Sequence, residues 1–263
     1  MSRQVLINAD DFGLCPEVNQ AVVKAHREGV LTHASLLVNA PGTAEAVALA
    51  RDMPTLKLGV HLALTEFEPL TRCPHLAPNG RFPSSHGLVY ARLLTLRLPP
   101  DEIRAEVTAQ LQAALNTGLR FEHIDGHGHV HVLPQVLRQV VEVGADAGLT
   151  RIRWPHEPEW ETVAGLPQPS LAARLKRALV RRLCDAGALE IARWERSDHF
   201  YGLALSGRMT TEPLRALVAA LPEGSSEIMV HPASRDLLYP GYLGAQELAG
   251  LCDAEVAERL RAS

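Results

Sequence analysis

Cysteine is scarce and scattered: Cys15, Cys73, Cys184 and Cys252 are the only four in 263 residues, and none stands in a CxxC pair. Their spacing signals no disulfide framework, a chain of this size does not need one, and all four are expected as reduced thiols. No apolar run approaches the roughly 18 residues of a spanning helix. The opening MSRQVLINADDFG reaches its acidic pair before a signal-peptide core could form, so a cytoplasmic location is expected. Basic excess is missing too. The 26 Lys and Arg against 30 Asp and Glu give a net charge of −4, and a nucleic-acid partner, which needs a cationic field, is not expected. GxSxG, P-loop and GxGxxG motifs are absent, which argues against a serine hydrolase and against nucleotide use.

What is present is ordinary in bulk and unusual in places. A hydrophobic share of 46% and a charged share of 21% suit a globular enzyme, and the length suits one large domain over residues 1–263. Short apolar runs alternate with longer helical patterns, the mark of βα units around a parallel sheet. Strands are expected at Val5–Ala9, Ala34–Val38, Leu56–Leu62, Phe121–Asp125, Thr150–Trp154, His199–Leu205 and Glu227–Val230. Between them, Pro16 opens a helix that Gly29 stops, Ile103, Val107, Leu111 and Leu115 recur at four-residue steps, and Pro134 opens another. The stretch from Glu66 to Pro100, with Pro69, Pro74, Pro78 and Pro83 inside it, is irregular and reads as a functional loop or lid. The expected fold is α/β, a distorted (β/α) barrel of about seven parallel strands, TIM-barrel-like; a doubly wound open sheet is the alternative. One segment is locally basic: Arg174, Lys176, Arg177, Arg181 and Arg182 interleave with Leu171, Leu175, Leu179, Val180 and Leu183. That pattern is an amphipathic helix whose cationic face meets either water or a membrane surface.

The chemistry-bearing residues fall at strand ends, where parallel α/β folds gather their active sites. Asp10 and Asp11 end the first strand, His61 the third, Asp125 and His127 the fourth, and His231 the last. An apolar strand ending in two carboxylates must desolvate them or give them a cation. One carboxylate can then ligate a divalent ion while its neighbour accepts a proton from water. The densest cluster runs from His123 to His131, with histidine at every second position; if extended, those side chains share one face. Gly126 and Gly128 within it permit unusual backbone angles.

Four motifs in order, Asn8-Ala9-Asp10-Asp11-Phe12-Gly13, Gly59-Val60-His61-Leu62-Ala63-Leu64-Thr65, His123-Ile124-Asp125-Gly126-His127-Gly128-His129-Val130-His131 and His231-Pro232, resemble the YdjC-like carbohydrate deacetylase family, which includes chitooligosaccharide deacetylases. The resemblance spans the chain. It implies a distorted α/β barrel, one divalent ion, and removal of the acetyl group from an N-acetylglucosamine-type sugar. Position by position it makes Asp11, His61 and His127 the metal ligands, Asp10 the base and His231 the acid, and it suggests a homodimer. Asp125, His129, Trp154 and Tyr239 complete the expected site as substrate-contacting residues. Gly128 stands where the family often has histidine, and Ala233 where glycine often follows His-Pro. Asp198-His199-Phe200-Tyr201-Gly202-Leu203 and Tyr239-Pro240-Gly241-Tyr242 look more like the hopanoid-biosynthesis branch known as HpnK. That branch implies an N-acetylglucosaminyl hopanoid, a lipid whose tail Leu237 and Leu238 could meet, with peripheral membrane contact.

Two imidazoles and one carboxylate suit zinc or a neighbouring transition metal, whereas the family is usually described with magnesium. Two other readings stay open. A metal-dependent phosphoesterase would use the same residue types with cationic clamps, for which Arg151 and Arg153 are the candidates. A non-catalytic sugar- or lipid-binding barrel would use them only to hold structure.

Overall fold

A computed structural model describes residues 3–160, 163, 165–236 and 238–261; Leu237 lies outside the described residues. Seven strands form one sheet: β1 (Arg3–Phe12), β2 (His33–Leu36), β3 (Lys57–Leu62), β4 (Phe121–Gly126), β5 (Arg151–Ile152), β6 (His199–Tyr201) and β7 (Gly224–Val230). Every pairing is parallel, in the order β5-β4-β3-β2-β1-β7-β6. Successive strands are neighbours except β5 and β6, and β7 returns beside β1, which is the cyclic order of a barrel. A doubly wound sheet would reverse at a switch point instead. The chain just before β6 spans the gap: Ile152 N–H donates to the Glu195 carbonyl at 3.0 Å and Glu195 N–H to the Thr150 carbonyl at 2.8 Å. The seven-stranded distorted barrel is therefore the fold.

Helices α1 (Pro16–Glu28), α2 (Thr43–Arg51), α3 (His86–Thr95), α4 (Pro100–Leu115), α5 (Pro134–Asp146), α6 (Leu171–Gly187), α7 (Thr211–Ala220), α8 (Gly244–Leu251) and α9 (Ala254–Arg261) accompany the strands. Proline opens α1, α4 and α5, where its missing N–H is harmless. The stretch expected to be irregular contains α3, started by the Ser85 hydroxyl accepting from Leu88 N–H. No helix among the described residues is long and apolar enough to cross a membrane.

Apolar packing lies between strands and helices, with Ile7, Ala9, Leu36, Val60, Ile124, Ile228 and Val230 all buried. The alternate positions are largely polar: Asn8, Asp10, Ser35, His61, His123, Asp125, Arg153 and Glu227 are buried and bonded to one another. Barrels of this class ordinarily fill that space with branched apolar side chains. Gly59 makes room for one member, since a methyl group on it would overlap the His123 ring. Gly59→Ala is expected to destabilise the fold by about 1–3 kcal/mol through overpacking, measured as a lower urea midpoint at unchanged slope.

Candidate functional site

Two adjacent residues of a regular strand point to opposite faces, so Asp10 and Asp11 cannot both serve one site without a distortion. The distortion is present. Between the pairs Ala9↔Ala34 and Phe12↔Leu36, β1 advances three residues while β2 advances two. Asp11 takes up the extra residue in the left-handed region, with φ of 65°. The bulge turns both carboxylates toward His61, whose Nε2 lies 3.4 Å from Asp11 Oδ1 and 3.9 Å from Asp10 Oδ2.

Asp11, His61 and His127 offer donor atoms that lie within 4.8 Å of one another, all three buried. His127 Nδ1 faces Asp11 Oδ1 at 2.7 Å. His61 presents Nε2 to the cluster because its Nδ1–H donates to Asp125 at 2.7 Å, and Asp125 is in turn held by the Ser35 hydroxyl and by Arg153. A carboxylate behind an imidazole is the usual way a ligating histidine is oriented. The residues fit a divalent cation on a further count: His61 Nε2 is buried without a hydrogen-bond partner, which is costly unless something else satisfies it. Electrostatics agree. Burial disfavours charge on His61, yet Asp125 and Asp10 raise its pKa to about 10; burial likewise opposes Asp11, which still raises His127 to about 9. The centre favours positive charge.

Arg153 fixes the other carboxylates. It is 1% exposed, grips Asp10 through both terminal nitrogens at 2.7 and 2.8 Å, and reaches Asp125 at 2.9 Å and Glu227 at 2.6 Å. Burial penalises its charge, but Asp10, Asp125 and Glu227 hold it well above its ordinary pKa. This guanidinium is committed to protein carboxylates, so it does not serve as the phosphate clamp of the phosphoesterase reading. Asp10, His61 and Asp125 also form a compact donor group, but Arg153 neutralises both of its carboxylates. Among the described residues the Asp11 carboxylate has only imidazoles for partners, which singles out its group for a cation.

His231 follows β7 and sets Nε2 at 3.9 Å from Asp10 Oδ2, with Nδ1 buried and unpartnered. Burial lowers its pKa. Its backbone N–H donates to the buried carboxylate of Glu247 in α8. Tyr239 lies beside the site, its ring 6.2 Å from that of His127 and its hydroxyl donating to Glu66 at 3.1 Å. The other three expected substrate contacts are placed differently. Asp125 is fully buried behind His61, His129 packs on Phe200 and His131, and Trp154 lies against Gly187 of α6. The extended histidine ladder ends at Gly126: residues His127–Val132 form a tight 3-10 turn with Gly128 and His129 left-handed, so the histidines diverge.

Several participants carried no sequence signal. Glu227 reads as an ordinary strand charge, and Arg153, singled out in the sequence only as a phosphate clamp, holds protein carboxylates instead. Glu66, at φ 69°, sets Oε1 at 3.5 Å from His127 Nε2 and 3.7 Å from His86 Nε2. His86, which reads as a surface residue in the sequence, stacks edge-on to His127 with ring centroids 4.9 Å apart. Both come from the irregular stretch after β3, the segment expected to be functional.

Tyr239 and Tyr242 close the site, their rings 5.3 Å apart and Tyr242 5.0 Å from His231. The cleft between them and Asp10 and Asp11 holds about 10 Å³, room for roughly one water.

Glu157, fully buried, accepts from the N–H groups of Gly202, Leu203 and Ala204 at 2.7–2.9 Å, holding the turn after β6. Burial raises its pKa to about 7. The folded state thus binds its proton more tightly than the unfolded chain, and this contribution is full below the ordinary carboxyl range and is lost as pH rises to about 7. Thermal melts between pH 5 and 8 are expected to fall along that window. Glu157→Gln, although less stable throughout, is expected to flatten that slope.

Asp and His donors gathered at the C-terminal ends of parallel barrel strands define an α/β-barrel enzyme. The chain belongs to the YdjC-like protein family, whose profile matches residues 4–262. A carbohydrate deacetylase of Brevibacillus brevis is 40% identical over 89% of this chain and 82% of its own length. A chitooligosaccharide deacetylase of Proteus mirabilis is 31% identical over 90% and 83%. Among solved structures, an Enterococcus faecalis protein named for cellobiose-phosphate cleavage superposes with a TM-score of 0.71 at 26% identity, covering 100% of this chain and 95% of its own.

Proposed function

We propose that this chain is a cytoplasmic carbohydrate N-deacetylase that hydrolyses the acetamide of an N-acetylglucosamine-type sugar. The observation that carries the reading is the convergence of Asp11, His61 and His127 beside a second carboxylate, Asp10, and a second imidazole, His231. In this reading Asp11, His61 Nε2 and His127 hold one divalent ion. When bound, that ion supplies Lewis acidity, polarising the acetyl carbonyl and lowering the pKa of water. Its donor set suits Zn²⁺, with Mg²⁺ the alternative drawn from the family resemblance.

Asp10 takes a proton as water adds to the amide carbon. Arg153 and Asn8 hold its carboxylate in one orientation, leaving Oδ2 facing both His61 and His231 at 3.9 Å. Burial lowers the pKa of His231, and in this reading it passes to the departing nitrogen the proton that Asp10 removed. The C–N bond breaks, and the products are acetate and a free amine. Tyr239 and Tyr242, once displaced, are placed to pack on the sugar ring. The motifs around Phe200 and Tyr239 support an N-acetylglucosaminyl lipid, as in the hopanoid branch. The Proteus mirabilis relative's name supports a chitooligosaccharide as the second candidate.

Acetate release tests this directly. Chelator-treated protein, reloaded with Zn²⁺, Mg²⁺ or Mn²⁺, is expected to release acetate from N-acetylglucosaminyl lipid or from diacetylchitobiose, and the metal-free protein is not. Phosphate release from a sugar phosphate, with no acetate from either amide, would transfer the assignment to a phosphoesterase.

A further inference from the structure

Helix α6 leaves an apolar stripe uncovered. Leu171, Leu175 and Leu179 stand at successive four-residue steps and are 71%, 63% and 39% exposed. Isolated surface leucines are common, but three in line on one helix face mark an interaction surface. Arg174 and Arg182 flank them, both exposed and neither in a side-chain ion pair with a described residue. The helix carries five cationic side chains against the single Asp185, in a chain whose net charge is −4.

The stripe is most exposed at the end that reaches the active site. A helix following a parallel strand runs back antiparallel to it, so α6 begins at the rim where β5 delivers Arg153. Lys176, one residue after Leu175, is half-buried, and the charges of Glu157 and Asp10 act on its ammonium. A cavity of about 910 Å³ separates Ser170, which caps α6, and the α6 residues Ala173 and Lys176 from Tyr242, the residue whose ring covers His231. Leu166, Leu203 and Leu205 give this cavity apolar walls.

We infer that the exposed face of α6 docks this enzyme on an anionic lipid bilayer, with the three leucines in the interface and the arginines on lipid phosphates. The inference deepens the glycolipid reading above and rests on it for its purpose: the cavity then gives a membrane-held substrate a route to the tyrosine-covered site. Charge decides between occupants. Leucines flanked by exposed arginines that have no ion-pair partner among the described residues match an interfacial helix on anionic lipid, whereas a two-fold contact with a second copy would set this cationic face against itself.

Vesicle flotation of the full chain tests it. The protein is expected to float with phosphatidylcholine–phosphatidylglycerol vesicles, about tenfold less with phosphatidylcholine alone, and less as salt is raised. Leu171→Glu/Leu175→Glu and Arg174→Glu/Arg182→Glu are each expected to lose about tenfold in binding, with melting temperature and acetate release from soluble diacetylchitobiose unchanged. Absence of flotation, or variants that float like wild type, overturns the inference. So does a leucine variant that converts a dimer to a monomer in a chain that never floats. Flotation needs no acetyl release, so a failed deacetylation assay with intact flotation would count against the catalytic reading and not against this surface.

Discussion

Arg153→Met is expected to lower the unfolding free energy by about 3–5 kcal/mol, read as a large drop in urea midpoint, and to abolish activity with it. The guanidinium is the sole cationic side chain among the described residues that bonds Asp10, Asp125 and Glu227 together. Methionine fills similar volume but leaves three buried carboxylates facing one another. Removing one partner of a buried ion pair is costly because the remaining charge has lost both water and counter-ion. Lysine keeps the charge but cannot bond Asp10 through two nitrogens, so Arg153→Lys should fall between wild type and methionine. Adding Glu227→Gln to Arg153→Met should recover part of the loss, a coupling of roughly 0.5–3 kcal/mol in a double-mutant cycle. Strict additivity would mean that the carboxylates do not share this cation.

The second large effect is catalytic. Asp10→Asn is expected to reduce kcat about 10²–10⁴-fold with little change in KM, the usual loss when a general base is removed. Asparagine keeps the shape and can still accept from Arg153, but it takes no proton from water. Ion binding should persist, because Asp10 is not among the three proposed ligands. Asp11→Asn should lose ion affinity first and activity as a consequence. A barrel that only bound sugar or lipid would show neither difference, and wild-type kcat in Asp10→Asn would remove the base from the mechanism.

Much of this arrangement was legible in the sequence because it depends on period and position. Alternating βα patterns gave the seven parallel strands, and strand-end placement picked out Asp10, Asp11, His61, His127 and His231, which the fold brings together. What was not legible depends on pairing across the barrel. Arg153 and Glu227 sit 74 residues apart, and nothing local distinguishes a strand arginine facing a helix from one facing a buried carboxylate. Trp154 illustrates the converse: one residue further along the chain, it packs against Gly187 of α6 and away from the site. The histidine ladder misled because two left-handed residues, Gly128 and His129, break the alternation on which the extended pattern relied. Gly128 hinted at such a break; a left-handed histidine beside it did not follow from composition.

Crystals soaked in Zn²⁺ or Mn²⁺ and measured for anomalous scattering test the centre most directly. One peak is predicted, within about 2.0–2.2 Å of the Asp11 carboxylate, His61 Nε2 and a ring nitrogen of His127. An ion seated elsewhere, for instance between Glu66 and His86 without Asp11, or no ion under any divalent soak, would contradict a metal-assisted deacetylase.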